Sequence, residues 1–183
     1  MTQPTGPEDE EEIAVVETRY QLKQLAADDA LAGRQIRGGV GVGRALATTD
    51  IDAITMEKVG LPSSDFTAAR LESAQLTQAD LRGTRWGGAL WNRVASRDCD
   101  FTEIDLEASE LMYCTFESLR MPRARLVRAR LQGCSFDKVE LYGAHLDHAV
   151  LTKCVFSGVG EEGTASMSRV SFKQAALIEV NLA

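Results

Sequence analysis

The feature that most constrains this chain is a large apolar residue at every fifth position from Phe66 to Phe156. Of the nineteen positions in that series, eighteen are large and apolar and one, Ser96, is not. A second restricted column lies two residues before each: Ala69, Ala74, Ala79, Thr84, Ala89, Val94 and onward to Cys154, mostly small or β-branched. Two phased columns held over about ninety residues signal internal repetition.

A period of five fits neither ordinary template. On an α-helix five residues turn about 500°, so the apolar site would drift by about 140° per repeat instead of forming a stripe. On a flat strand an odd period sends successive apolar residues to opposite faces. Within one repeat, however, Ala69 and Leu71 are two apart and can both point inward while Arg70 points out. The chain must then bend before the next pair, and bending at every repeat wraps the backbone around a central core. Gly83, Gly88, Gly133, Gly143 and Gly158 at the last position of a repeat, and Pro122 just before it, suit such bends.

The tripeptides Ala79-Asp80-Leu81, Ala69-Arg70-Leu71, Ala74-Gln75-Leu76, Ala129-Arg130-Leu131 and Ala144-His145-Leu146 resemble the A-(D/N)-L-x-x pattern of the pentapeptide-repeat family. The resemblance covers Asp65 to Phe156 and extends to Thr49–Ala183. It implies an all-β solenoid, a right-handed quadrilateral β-helix in which four repeats, twenty residues, make one square coil. Arg and Glu stand here at many positions where the family has Asp or Asn. Ser96 and the two central Trp residues also depart from its pattern.

The repeat sets the reading of the rest. Residues 1–12 are polar and acidic and read as a disordered tail. Residues 13–33 read as an α-helix with Val15, Leu22 and Ala26 on one side and Gly33 as its stop, either capping the open end of the solenoid or docking a partner. Residues 34–48 read as a Gly-rich connection without a phosphate-binding pattern, and 49–183 as the β-helix, its first coil starting near Thr49. After Phe156 the next clear central residue is Phe172, sixteen positions on, so residues 157–169 are expected to leave the wall as a loop. Phe172, Leu177 and Leu182 then resume the period and expose an apolar final coil, which predicts a homodimer through those residues.

Charge is unevenly spread. Residues 1–32 hold eight acids and two bases, whereas the remainder holds nineteen acids and eighteen bases, close to neutral. Arg120, Arg123, Arg125, Arg128 and Arg130 look like a nucleic-acid patch if read linearly. Twenty residues earlier, however, lie Asp100, Glu103, Asp105 and, for Arg130, Glu110, with Glu140 on the other side of Arg120. These charges are expected to pair, and direct nucleic-acid binding is not expected.

Cys99, Cys114, Cys134 and Cys154 all occupy the small inward column, with Cys114, Cys134 and Cys154 stacked about 4.8 Å apart by strand spacing. That separation exceeds what a disulfide prefers between its Cβ atoms, so reduced, buried thiols are expected. Phe116, Phe136 and Phe156 should stack, and Ser96 should make room for Trp91, the alternative being an exposed Trp86–Trp91 pair used for binding. His145 and His148 flank Asp147 at outward positions, too few ligands for a metal site. No nucleophile, cofactor site or membrane span is evident, so a cytoplasmic non-enzyme is expected.

The resemblance implies a protein-binding scaffold. Well-understood members of the family protect type II topoisomerases, DNA gyrase or topoisomerase IV, from inhibitors by occupying the DNA-binding surface. The expected contact residues are an acidic face (Asp98, Asp100, Glu103, Asp105, Glu107, Glu110) and Glu161 and Glu162 in the loop. The alternative is an adaptor of a bacterial secretion assembly that uses the N-terminal helix and acidic tail.

Overall fold

The computed structural model describes residues 35–38, 46–158 and 167–182. The expected acidic tail and helix (1–33), most of the Gly-rich connection, and Glu161 and Glu162 lie outside these residues.

The described chain forms fifteen short strands. After β1 (Gln35–Arg37) they come in pairs: β2 (Asp50–Asp52) and β3 (Thr55–Glu57); β4 (Arg70–Glu72) and β5 (Gln75–Thr77); β6 (Leu90–Asn92) and β7 (Ala95–Arg97). Then follow β8 (Glu110–Met112) and β9 (Thr115–Glu117), β10 (Arg130–Gln132) and β11 (Ser135–Asp137), and β12 (Val150–Thr152) and β13 (Val155–Ser157). The final pair is β14 (Ala176–Ile178) and β15 (Asn181–Leu182). The odd-numbered strands form one parallel sheet of eight and the even-numbered strands a parallel sheet of seven. Two further walls are held by single-residue bridges, one through Gly60, Asp80, Asp100, Arg120 and Glu140, the other through Asp65, Arg85, Asp105, Arg125, His145 and Ser171. Each partner lies twenty residues along until the final coil, so four repeats close one square turn.

The bend that the odd period demands is made at one fixed place. From Thr48 to Gly158 every fifth residue has a positive φ, whether it is glycine (Gly83, Gly88, Gly133, Gly143, Gly158) or not (Ala68, Gln78, Asp98, Tyr113 and others). This left-handed residue turns the chain by one corner, and it is unfavourable for L-residues by about 1–2 kcal/mol each. The inter-coil ladder offsets that cost: Leu81 N donates to Asp100 O at 2.9 Å, and Asp100 N donates to Ala79 O at 2.9 Å. On the two bridge walls the centre carbonyl also accepts from the amide three residues on, as Phe101 O does from Ile104 N at 3.0 Å.

Both inward columns are buried from Ile51 to Phe156, and they fill the interior. Phe116, Phe136 and Phe156 stack with centroids 4.8 and 4.5 Å apart. Trp86 and Trp91 are core residues, 1% and 0% exposed, which excludes an exposed binding pair. Trp86 stacks on Phe66 at 4.0 Å and meets the edge of Trp91 at 4.8 Å. All four cysteines are free and buried.

The wall extends beyond the sequence phase at two places. β1 pairs in register with β3, Ile36 opposite Met56, so the segment read as a connection carries a rung. After Phe156, Leu151 pairs with Leu177 and Phe156 with Leu182, a step of twenty-six. The insertion thus adds six residues to a coil, and Met167 and Val170 already pack against the core, with the corner made between them. Met167, apolar but less conspicuous than Phe172, is the residue that resumes the wall.

Candidate functional site

The filled interior leaves the outer walls to carry chemistry. Each repeat presents two outward side chains beside its buried centre, and the residue after them turns the corner. Side chains twenty apart therefore stand one above another at about the strand spacing of 4.8 Å, close enough for carboxylate and guanidinium to meet.

The expected pairs form. Arg120 lies 3.6 Å from Asp100 and 3.5 Å from Glu140, and Arg123 lies 2.6 Å from Glu103. Arg125 lies 3.6 Å from Asp105, and Arg130 lies 3.8 Å from Glu110. Glu107 takes two partners, Arg125 at 2.7 Å and Arg128 at 3.5 Å. These side chains are about half exposed, so each pair contributes about 0–1 kcal/mol. The pairing consumes the linear arginine patch.

Geometry corrects the notion of a single acidic face. Asp98 and Glu103 are corner residues with φ 53° and 59°, Asp100 lies on one bridge wall, Asp105 and Glu107 on the other, and Glu110 on the seven-stranded sheet. The six carboxylates form a belt around one coil, and no flat partner surface reaches them all. Among the described residues only Asp98 of this group lacks an ion pair. The residues expected at a dimer contact do share the final coil, where Leu177 and Leu182 are 46% and 59% exposed and Phe172 is half-buried.

Some contacts were missed at the sequence level although the twenty-residue step reaches them. Asp65 and Arg85, 2.9 Å apart, extend the Asp105–Arg125 pair into a column of alternating charge on one wall. Arg97 lies 2.8 Å from Glu117. Others have no period to betray them. Arg82 grips Asp80 within one repeat at 2.6 Å, and Arg169 lies over the Tyr142 ring at 5.6 Å. The exposed Tyr113 ring covers Gly133.

The carboxylates respond to these neighbours. The Thr67 hydroxyl and amide, with Arg85, hold Asp65 below its ordinary value, and Arg82 does the same for Asp80. Asp147, between the two histidines, accepts from the Ser171 hydroxyl and from Lys173 N, and the Ser171 bond draws its pKa down. No group of three or more His, Cys, Asp and Glu side chains among the described residues is arranged to hold a metal. Burial pushes the Cys99 thiol up to about 11. The neighbouring Cys114 thiol raises Cys134 to about 12, and Cys134 in turn raises Cys154. No helix among the described residues is long and apolar enough to cross a membrane.

Among the described residues, two buried side-chain polar atoms stand apart from this satisfied framework. Thr84 and Ser109 donate to the carbonyls of Leu81 and Leu106 at 2.7 Å, and Trp86 Nε1 donates to Thr84 Oγ1 at 3.0 Å. Trp91 Nε1 and Ser96 Oγ have no partner.

Comparison with known proteins agrees with the geometry. The family model described as pentapeptide repeats matches residues 61–85 and 124–159, in eight copies. No curated protein sequence matches the chain. Among solved structures, HetL, a pentapeptide repeat protein involved in heterocyst differentiation regulation from the cyanobacterium Nostoc sp., is 18% identical. That alignment covers 91% of this chain and 95% of HetL, with a TM-score of 0.43. Full-length QnrB1, a plasmid-mediated fluoroquinolone resistance protein, is 15% identical over 78% of this chain and 85% of its own, with a TM-score of 0.40. The matched copies, set in coils whose five-residue register runs unbroken from Leu46 to Phe156, show that this chain carries pentapeptide repeats.

Proposed function

We propose that this protein is a non-enzymatic, cytoplasmic scaffold that binds a protein partner through its outer walls, and that the partner is a type II topoisomerase, DNA gyrase or topoisomerase IV. Bound in place of DNA, it would keep inhibitors from acting on the enzyme. The observation that carries the scaffold reading is the filled interior: with both inward columns buried from Ile51 to Phe156, the functional groups stand on flat outer walls. The topoisomerase reading rests on the family resemblance together with the carboxylate belt from Asp98 to Glu110. The arginine coil beside the belt limits any mimicry of DNA to the carboxylates that can exchange partners, with Asp98 already unpaired. Two copies would join through Leu177 and Leu182 on the final coil, burying apolar surface exposed in one chain.

The test is DNA supercoiling by purified gyrase with a fluoroquinolone, titrated with this protein. Rescue of supercoiling that is lost on reversing Asp98 and Glu107 to lysine supports the proposal. Absence of rescue at tens-of-micromolar protein refutes gyrase as the partner, and the same titration with topoisomerase IV decides the remaining enzyme. Light scattering of the intact chain and of Leu177→Asp reads the dimer separately.

A further inference from the structure

Trp91 and Ser96 occupy consecutive centre positions of one coil, on the two adjoining sheets. In register, Ser96 sits between Leu76 and Phe116, so a two-atom side chain takes a place in a column of large ones. The Trp91 ring leans across the corner toward this place: its centroid is 6.4 Å from that of Phe116, at an interplanar angle of 36°. The Trp91 Nε1–H is buried without an acceptor. The Ser96 hydroxyl is buried with neither donor nor acceptor.

The contrast with Trp86 is informative. That indole, five residues earlier, donates to Thr84 Oγ1 at 3.0 Å. The chain therefore satisfies a buried indole where a protein group is within reach. An indole N–H can only donate, whereas a hydroxyl can donate and accept. A group joining the two must accept from Trp91, bond to Ser96, carry no charge and be small. Water meets all four conditions, and buried waters characteristically serve two to four otherwise unpaired polar groups. A depression of about 170 Å³ lies over this part of the wall, with Gln75, Ala95, Ser96, Arg97, Thr115 and Glu117 among its lining residues.

We propose that the space between Trp91 Nε1 and Ser96 Oγ is a water-binding site, occupied by a water molecule that accepts from the indole and hydrogen-bonds the serine hydroxyl. The Ser96 position then has two parts: room for the Trp91 ring, and a polar anchor for the water that completes it.

The experiment compares the full chain with Ser96→Val and Ser96→Ala by magnetic relaxation dispersion of the water oxygen, which counts long-lived internal waters. Transfer of magnetisation from water to the indole N–H protons, assigned with Trp86→Phe, locates that water. The expected result is a long-lived water near the Trp91 indole in the unaltered chain. It should be lost in Ser96→Val, which fills its place, and exchange several-fold faster in Ser96→Ala, which removes only the hydroxyl. A dry Trp91 indole in the unaltered chain overturns the proposal without reference to any variant. An unchanged water signal in folded Ser96→Ala overturns the role of Ser96.

Discussion

Replacing Ser96 by leucine tests whether the break in the apolar series is a packing requirement. If the site held free space, leucine would add roughly three buried carbons at about 0.8 kcal/mol each and stabilise the fold by about 2 kcal/mol. The Trp91 ring reaches into that place, 6.4 Å from the Phe116 ring stacked on Ser96. An added isobutyl group must then displace the indole or shift the wall, at a cost of about 1–3 kcal/mol. The two readings differ in sign and by about 3–5 kcal/mol. Trp91→Leu alone should destabilise by about 2–4 kcal/mol through the cavity it leaves. In that background Ser96→Leu should become stabilising, giving a coupling of about 2 kcal/mol or more. Urea unfolding followed by far-ultraviolet circular dichroism, which does not depend on the removed chromophore, measures all four corners of the cycle. Stabilisation by Ser96→Leu alone, or additivity within about 0.5 kcal/mol, would refute the reasoning.

Further expectations follow from the corners, the thiols and the carboxylates. Gln78, exposed at φ 53°, carries the left-handed cost without a packing return, so Gln78→Gly should raise stability by about 1 kcal/mol in urea unfolding. Gly133→Ala should lower it by about 1 kcal/mol or more, because φ is +63° and an added Cβ would lie 2.8 Å from Tyr113 Cδ1. With Cys99 pushed up to about 11 and all four thiols buried, a thiol reagent at neutral pH should react with none of them in the native chain and with four after unfolding. Asp65 and Asp80 have native pKa values below 3.8. Their contribution is therefore present above 3.8 and lost as pH falls through the lower native values. Thermal midpoints should stay level from pH 7 to about 5 and decline below about 4, less steeply in Asp80→Asn.

Much of this architecture was legible because the pattern recurs. A residue's place modulo five says whether it faces in or out, and its place modulo twenty says what it stands on. The Arg120–Asp100, Arg123–Glu103 and Arg125–Asp105 pairs and the Phe116–Phe136–Phe156 stack follow from that count alone. Where the period stops, so does the inference. Phe172 was readable as a resumption of the wall, but Met167 was not, because one methionine after a glycine-rich stretch has no phase of its own. Ile36 was in phase all along, yet the glycines after it hid its rung. The candidate surface was less legible than the fold. Asp98 to Glu110 look like a cluster in a line of text, and the square coil distributes them over its sides.

The sequence by itself determined the solenoid, the two inward columns, the twenty-residue step and the identity of most stacked neighbours, since an error in any one repeat is outvoted by the rest. Only the tertiary structure decided that a left-handed residue makes every corner, that the carboxylates form a belt, and that Trp86 finds an acceptor while Trp91 does not. Periodicity specifies direction, inward or outward, and says nothing of volume. Whether a ring, a hydroxyl and a corner fit one space depends on atoms meeting from three directions at once, and those meetings exist only in the folded coil.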